Sequence, residues 1–201
     1  MRTKELIIKS EELIQWLDKH IDGIEISSEE RTRLAAGCLD TALEHHQAIL
    51  LLVSRSLFGS AFALVRLLFE AYIRGIWLHR CASDSELELF KAEKLDKKFG
   101  TFIQEIERIE GFEECVLSNA KLKSWSAMNS YTHTGFMQIV RRNTASAIEP
   151  NYTEGEILEA LNFANAIGLL SALEISHLAG SEELANSILE QAKGIGPNSK
   201  P

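Results

Sequence analysis

Arg66, Glu70, Arg74 and Trp77 stand at i, i+4, i+8 and i+11 of an otherwise apolar run, so they share one stripe of a helix. Arg66–Glu70 and Glu70–Arg74 are both opposite-charge pairs one turn apart. Leu67, Leu68, Phe69, Tyr72, Ile73 and Ile76 surround them. Two kinds of role suit three charges in such a setting. The stripe can be structural, facing solvent or forming an ion-pair ladder that holds neighbouring helices in register. If that ladder is buried, Glu70→Ala strands a charge and costs about 3–5 kcal/mol. Alternatively the arginines line a pocket for a small anion, because a guanidinium fork matches carboxylate and phosphate geometry. One carboxylate against two arginines leaves a positive charge over, which the second role needs.

His133 is the next candidate. Ser126, Ser130, His133 and Met137 share a helical face, with Tyr131 and Thr134 beside it. A histidine just before Gly135 sits at a helix end, where backbone carbonyls carry the negative end of the dipole. It can serve there as a cap or a hydrogen-bonding core residue, or it can move protons. Arg141, about two turns on, joins Arg66, Glu70, Arg74 and His133 as a candidate ligand-binding group.

Metal chemistry has weaker support. Glu174-Ile-Ser-His177 is a Glu-x-x-His of the kind found in di-iron bundles, and Asp40, Glu44, His45 and Glu70 could supply partners. Such sites draw a second Glu-x-x-His from another helix, and the sequence has none. His45 and His46 are adjacent, so they point about 100° apart and cannot chelate together. Cys38, Cys81 and Cys115 are widely spaced with no CxxC pair, as in reduced thiols. Neither a phosphate loop nor a nucleotide fingerprint nor a Ser-His-Asp signature is present. No metal and no cofactor is expected.

The elements that must position these residues are helices. Among 201 residues there are 27 Leu and 20 Ala but 4 Val, 8 Thr and 3 Pro, the first of them Pro150. That balance favours helix formers and is poor in residues that fit pleated sheets. Apolar spacing predicts a first helix over about 3–20 and a second from the Ser27 or Ser28 cap to about Val53. The stretch from Ser54 to Ser60, which contains Gly59, marks a turn or kink before a third helix over about 57–81, apolar around most of its circumference and so central. Ser83 and Asp84 cap a charged helix extending through Lys98, Gly100 suggests a break, and a piece over 102–110 ends at Gly111. A helix over about 119–134 follows, then a bend at Gly135 and a continuation to Arg142. Asn143–Asn151 is a loop. Thr153 caps a long helix closed by Gly180, and Ser181 caps a last one to about Lys193. The expectation is an all-α, single-domain bundle of six to eight helices over 1–193, with a disordered tail at 194–201.

The net charge is −8, which disfavours general binding to nucleic acid or anionic membrane. The apolar stretch from Gln47 to Leu78 is interrupted by Arg55, Arg66, Glu70 and Arg74. Its longest uncharged run is ten residues, Ser56 to Val65, against about 18 for a spanning helix. It is expected to be protein core. The N-terminus lacks an apolar signal core. A soluble, cytoplasmic protein is expected, paired as a homodimer through an apolar face.

The helix Ala63-Leu-Val-Arg66-Leu-Leu-Phe-Glu70-Ala-Tyr-Ile-Arg74-Gly-Ile-Trp77, with Ser130-Tyr-Thr-His133 further on, resembles a group of functionally uncharacterised bacterial helical proteins. More distantly it is similar to the HEPN superfamily of helical nucleotide-binding and RNase domains, which includes toxins and phage-defence effectors. HEPN nucleases carry an arginine, usually followed by a polar residue, at a short distance before a histidine, with several spacings allowed. Arg74-Gly-Ile-Trp-Leu-His79 has that spacing, with Gly75 in place of the polar residue. The resemblance implies that Arg74 would steady a scissile phosphate while His79, or His133, assists proton transfer. Two functions of different class are therefore open. One is a non-catalytic or regulatory module whose Arg66/Glu70/Arg74 stripe is structural or binds a small anion. The other is a metal-independent RNase of the HEPN kind, the only reading in which RNA is a partner.

Overall fold

The computed structural model describes residues 2–195. They form nine helices: α1 (Arg2–Ile21), α2 (Glu30–Ser54), α3 (Phe58–Arg80), α4 (Asp84–Lys91), α5 (Phe99–Ile106), α6 (Val116–Thr132), α7 (Phe136–Val140), α8 (Glu154–Leu178) and α9 (Glu182–Ile195). The all-helical expectation holds. The last helix runs to Ile195, so the rest of the expected tail, 196–201, lies outside the described residues.

α2 and α3 form an antiparallel hairpin, since Arg31 at the start of α2 reaches the carbonyls of Leu78 and Ala82 at the end of α3. The apolar stretch from Gln47 to Leu78 is therefore two helices. They are joined at Arg55–Leu57, where Ser56 takes a left-handed φ of 58° and the Leu57 N–H donates to the Leu52 carbonyl at 2.8 Å. Gly59 does not make this turn. It lies inside α3, where a Cβ would stand 3.3 Å from the Tyr152 hydroxyl. Gly75 is the close-approach glycine of the pair: a Cβ there would lie 2.7 Å from Leu39 Cγ and 3.2 Å from the Ala35 carbonyl. α3 consequently runs unbroken through Gly75.

α3 packs on α2, α5, α6 and α8, as a central helix should. It shares that place with α8, which packs on α1, α2, α3 and α9 and buries residues around most of its circumference. α8 is long and apolar enough to cross a membrane by length and composition, and half of that stretch is buried against the other helices. Capping boxes start both α4 (Ser83 with Glu86) and α8 (Thr153 with Glu156), where the sequence placed caps.

Four boundaries differ from expectation. Glu29, not Ser27 or Ser28, is the N-cap of α2, and it makes no side-chain cap bond. The charged helix stops at Lys91, not Lys98. Lys97 has to leave it, because its ammonium lies 4.6 Å from the Trp77 ring centroid and bonds the Glu86 and Glu105 carboxylates. The expected break falls earlier, between Lys91 and Phe99, so Gly100 lies inside α5, and that helix ends at Ile106 rather than near Glu110. Finally, α6 begins at Val116, and its exit is turned by Thr134, at φ 54°, rather than by Gly135.

Candidate functional site

The ladder lies where α6 crosses α3. Glu70 is its centre: Oε1 accepts from Arg66 Nε at 2.7 Å, and Oε2 accepts from Arg74 Nη2 at 3.2 Å. Arg66 also reaches across to α6, donating from Nη1 to Asn129 Oδ1 at 2.5 Å and to His133 Nε2 at 2.7 Å. Its guanidinium sits 4.8 Å from the Trp125 ring centroid, and Trp125 stacks in turn on Phe99 with centroids 4.5 Å apart. Arg66 and Glu70 side chains are 19% and 13% exposed, whereas Arg74 is 46% exposed. Arg66, Glu70 and His133 thus meet directly, and Arg74 joins them through Glu70.

Other candidates are elsewhere. Arg141 bonds Glu156 of α8 and the Tyr131 hydroxyl, away from the ladder. Burial raises the Tyr131 phenol above its ordinary range, and the Arg141 bond opposes that rise. His79 lies among Arg80, Glu174, Arg31 and Glu29, with Nδ1 buried and unpartnered. Burial, then the Arg80 charge, holds its pKa below the usual histidine range. On an unbroken helix Arg74 and His79 stand about 140° apart, and their neighbours are accordingly different. The structure does not bring the HEPN-spaced pair together. Of the lysines near α4, Lys91 pairs with Glu30 and Glu88, and Lys97 with Glu86 and Glu105.

Glu174, from the Glu-x-x-His pattern, is 5% exposed and takes Arg80 as its counter-charge, with Nη2 at 2.9 Å and Nε at 3.2 Å. His177 Nδ1 is 3.8 Å from the same carboxylate. Glu174 is thus already paired with a guanidinium. Among the described residues no three His, Cys, Asp or Glu side chains gather as a metal site. The three cysteines are free, and burial followed by the Glu105 charge raises the Cys81 thiol to about 11.

Sequence reasoning missed two arrangements. The first is a buried polar chain: Asn165 Nδ2 donates to Ser10 Oγ at 2.8 Å, and Asn165 Oδ1 lies 2.8 Å from His46 Nε2. It ties α1, α8 and α2, and all three residues are 1% exposed or less. Gly168 makes room for it, since a Cβ there would be 2.4 Å from His46 Nδ1. Desolvation pushes the His46 pKa down, against the smaller effect of Asn165. One signal existed: His46 falls on the face of α2 that carries Leu39, Leu43, Leu50 and Val53. The second is Arg31, whose Nη1 donates to the Leu78 and Ala82 carbonyls at 2.9 and 2.6 Å while Nη2 meets Asp84. It satisfies carbonyls that a helix end leaves open. Nothing in sequence spacing links it to α3.

Comparison with curated proteins and with solved structures returns no match, and nothing in the comparisons links the chain to the HEPN superfamily. One family does match, over residues 39–196, a span that takes in the whole ladder together with His79 and His133. The chain therefore belongs to DUF6988, a family of unknown function.

Proposed function

We propose that this protein is a non-catalytic, cytoplasmic helical module whose Arg66–Glu70–Arg74 ladder locks α6 onto α3 and takes a small anion at its open end, beside Arg74. The observation that carries this reading is the unequal use of the two arginines. Arg66 spends Nε and Nη1 on Glu70, Asn129 and His133, and its face on Trp125. Arg74 spends only Nη2 on Glu70 and is the more exposed of the two. Glu70 neutralises one guanidinium, so the surplus charge lies at the Arg74 end, where the free fork suits a carboxylate or phosphate. Isothermal titration with inorganic phosphate and with acetate tests it. Binding lost in Arg74→Ala and weakened in Arg74→Lys is the expected result. No heat at millimolar anion would reduce the ladder to its structural half.

A second reading is favoured by one contact. An exposed histidine, His133, shares a hydrogen bond with Arg66 across two helices, and paired Arg and His groups can steady a phosphate and move its proton. Under that reading the chain is a metal-independent RNase of the HEPN kind, centred on His133 with Arg66 and Arg74 rather than on His79. Cleavage of single-stranded RNA in the presence of a chelator, abolished by His133→Ala and retained by His79→Ala, is its required result.

A further inference from the structure

We propose that α7 and the groove beside it form the face through which two copies of this chain pair, each inserting Phe136 into the groove of the other. α7 buries none of its five residues. Phe136 is 80% exposed, Ile139 47%, and Met137 and Val140 38% each. A helix this short has no stability of its own, yet it is pinned in place. The Met137 N–H donates to Ser130 Oγ at 3.0 Å, and Gln138 Nε2 donates to the Gly59 carbonyl at 3.3 Å. The molecule therefore holds a row of apolar side chains rigidly toward the outside.

Beside that row lies an open groove of about 280 Å³ between α3, α6 and α8, walled by Phe62, Val65, Met128, Tyr131, Met137 and Phe163. It has room for a phenyl ring. Met137 belongs to both features, so the projection and the hollow are contiguous on one face. A two-fold axis through such a face fills both hollows at once, because whatever the first copy offers is returned by the second. Phe136 alone would remove about 160 Å² from water per copy, at roughly 200 Å² for a fully exposed phenylalanine.

Charge selects a second copy over other occupants. At −8 the chain repels itself across an average face. Here the Arg141–Glu156 pair is already neutral, and Lys123 and Glu159 on the rim and Arg142 just past α7 form no ion pair among the described residues. Two cations and one anion thus flank the apolar centre, a net +1 on a chain of −8, so this face repels a second copy less than the average face does, and Arg142 of one copy can meet Glu159 of the other. A small apolar ligand would fill the groove and still leave Phe136 in water. An anionic bilayer would be repelled by the rest of the surface.

Sedimentation equilibrium of the full chain decides the matter. The wild type should be a dimer at about 10–100 µM, the range of a modest interface. Phe136→Asp, at a site exposed enough in one copy to leave the far-ultraviolet circular dichroism spectrum unchanged, should weaken pairing about a hundredfold, as loss of an aromatic anchor does. Glu159→Arg should weaken it too, and Arg142→Glu added to that change should restore it. A wild type that stays monomeric, or a dimer indifferent to Phe136→Asp, overturns the proposal. So does a monomer that binds lipid vesicles, or decanoate, through Phe136. Phosphate titration at Arg74 is independent of all these outcomes.

Discussion

Consider the removal of one carboxylate. Glu70 holds Arg66 at 2.7 Å and Arg74 at 3.2 Å, with its side chain 13% exposed. Truncation of one partner in a fully buried pair costs about 3–5 kcal/mol, and in an exposed pair about 0–1 kcal/mol. Arg66 is 19% exposed and keeps Asn129, His133 and the Trp125 ring after the change. It is therefore not stranded, and Glu70→Ala should cost about 2 kcal/mol, below the buried-pair range. Glu70→Gln, which retains a carbonyl acceptor, should cost about 1 kcal/mol. Arg74→Ala, on the half-exposed side, should stay within about 0.5 kcal/mol. Urea denaturation at pH 7.5 measures these losses as midpoint shifts at constant slope. A double cycle of Arg66→Leu with Glu70→Leu should show a coupling of about 1 kcal/mol or more. If both single variants lose less than about 0.5 kcal/mol and the coupling is nil, the ladder is a solvated stripe and the tie between α3 and α6 does not exist.

His46 is held neutral by burial, so its folded pKa lies below the ordinary value near 6.5. The unfolded chain then binds the extra proton, and stability must fall as pH drops through about 6.5, with a slope approaching 1.4 kcal/mol per pH unit. His79 and His45 are shifted the same way by burial and add to the fall. Urea midpoints at pH 7.5 and 5.5 check it, with a shallower profile expected for His46→Gln and a flat wild-type profile refuting the argument. Two glycine variants in the hairpin should move in opposite directions. Gly75→Ala forces a Cβ to within 2.7 Å of buried Leu39 and should cost about 1–3 kcal/mol, while Gly37→Ala, with nothing within 4 Å, should gain about 0.5–1 kcal/mol. Thermal melts of both variants side by side would expose a common sign as an error in the packing argument.

Local rules fixed the helices well. The apolar spacing of the first helix, the Ser83 and Thr153 caps, and the apolar run expected over about 57–81 all depend on neighbours within one or two turns, and each formed within a residue or so of its expected place. The charged helix was misplaced at its far end for the opposite reason. Lys97 is a good helix former, but Trp77 on α3 and Glu105 on α5, with Glu86 at the start of the charged helix itself, together outweigh one turn of propensity. The candidate site divides along the same line. Arg66, Glu70 and Arg74 could be found as a stripe because the pairs are one turn apart, and that stripe did form as a ladder. That Arg66 meets His133, that Arg74 and Arg141 do not share a site, and that Ser10, His46 and Asn165 make one buried chain are facts of contact across 60 to 155 residues. A sequence encodes such contacts only through the packing of whole helices, where a glycine such as Gly75 or Gly168 sets how closely two axes approach. Periodicity names the face of a helix; only the tertiary structure says what that face touches.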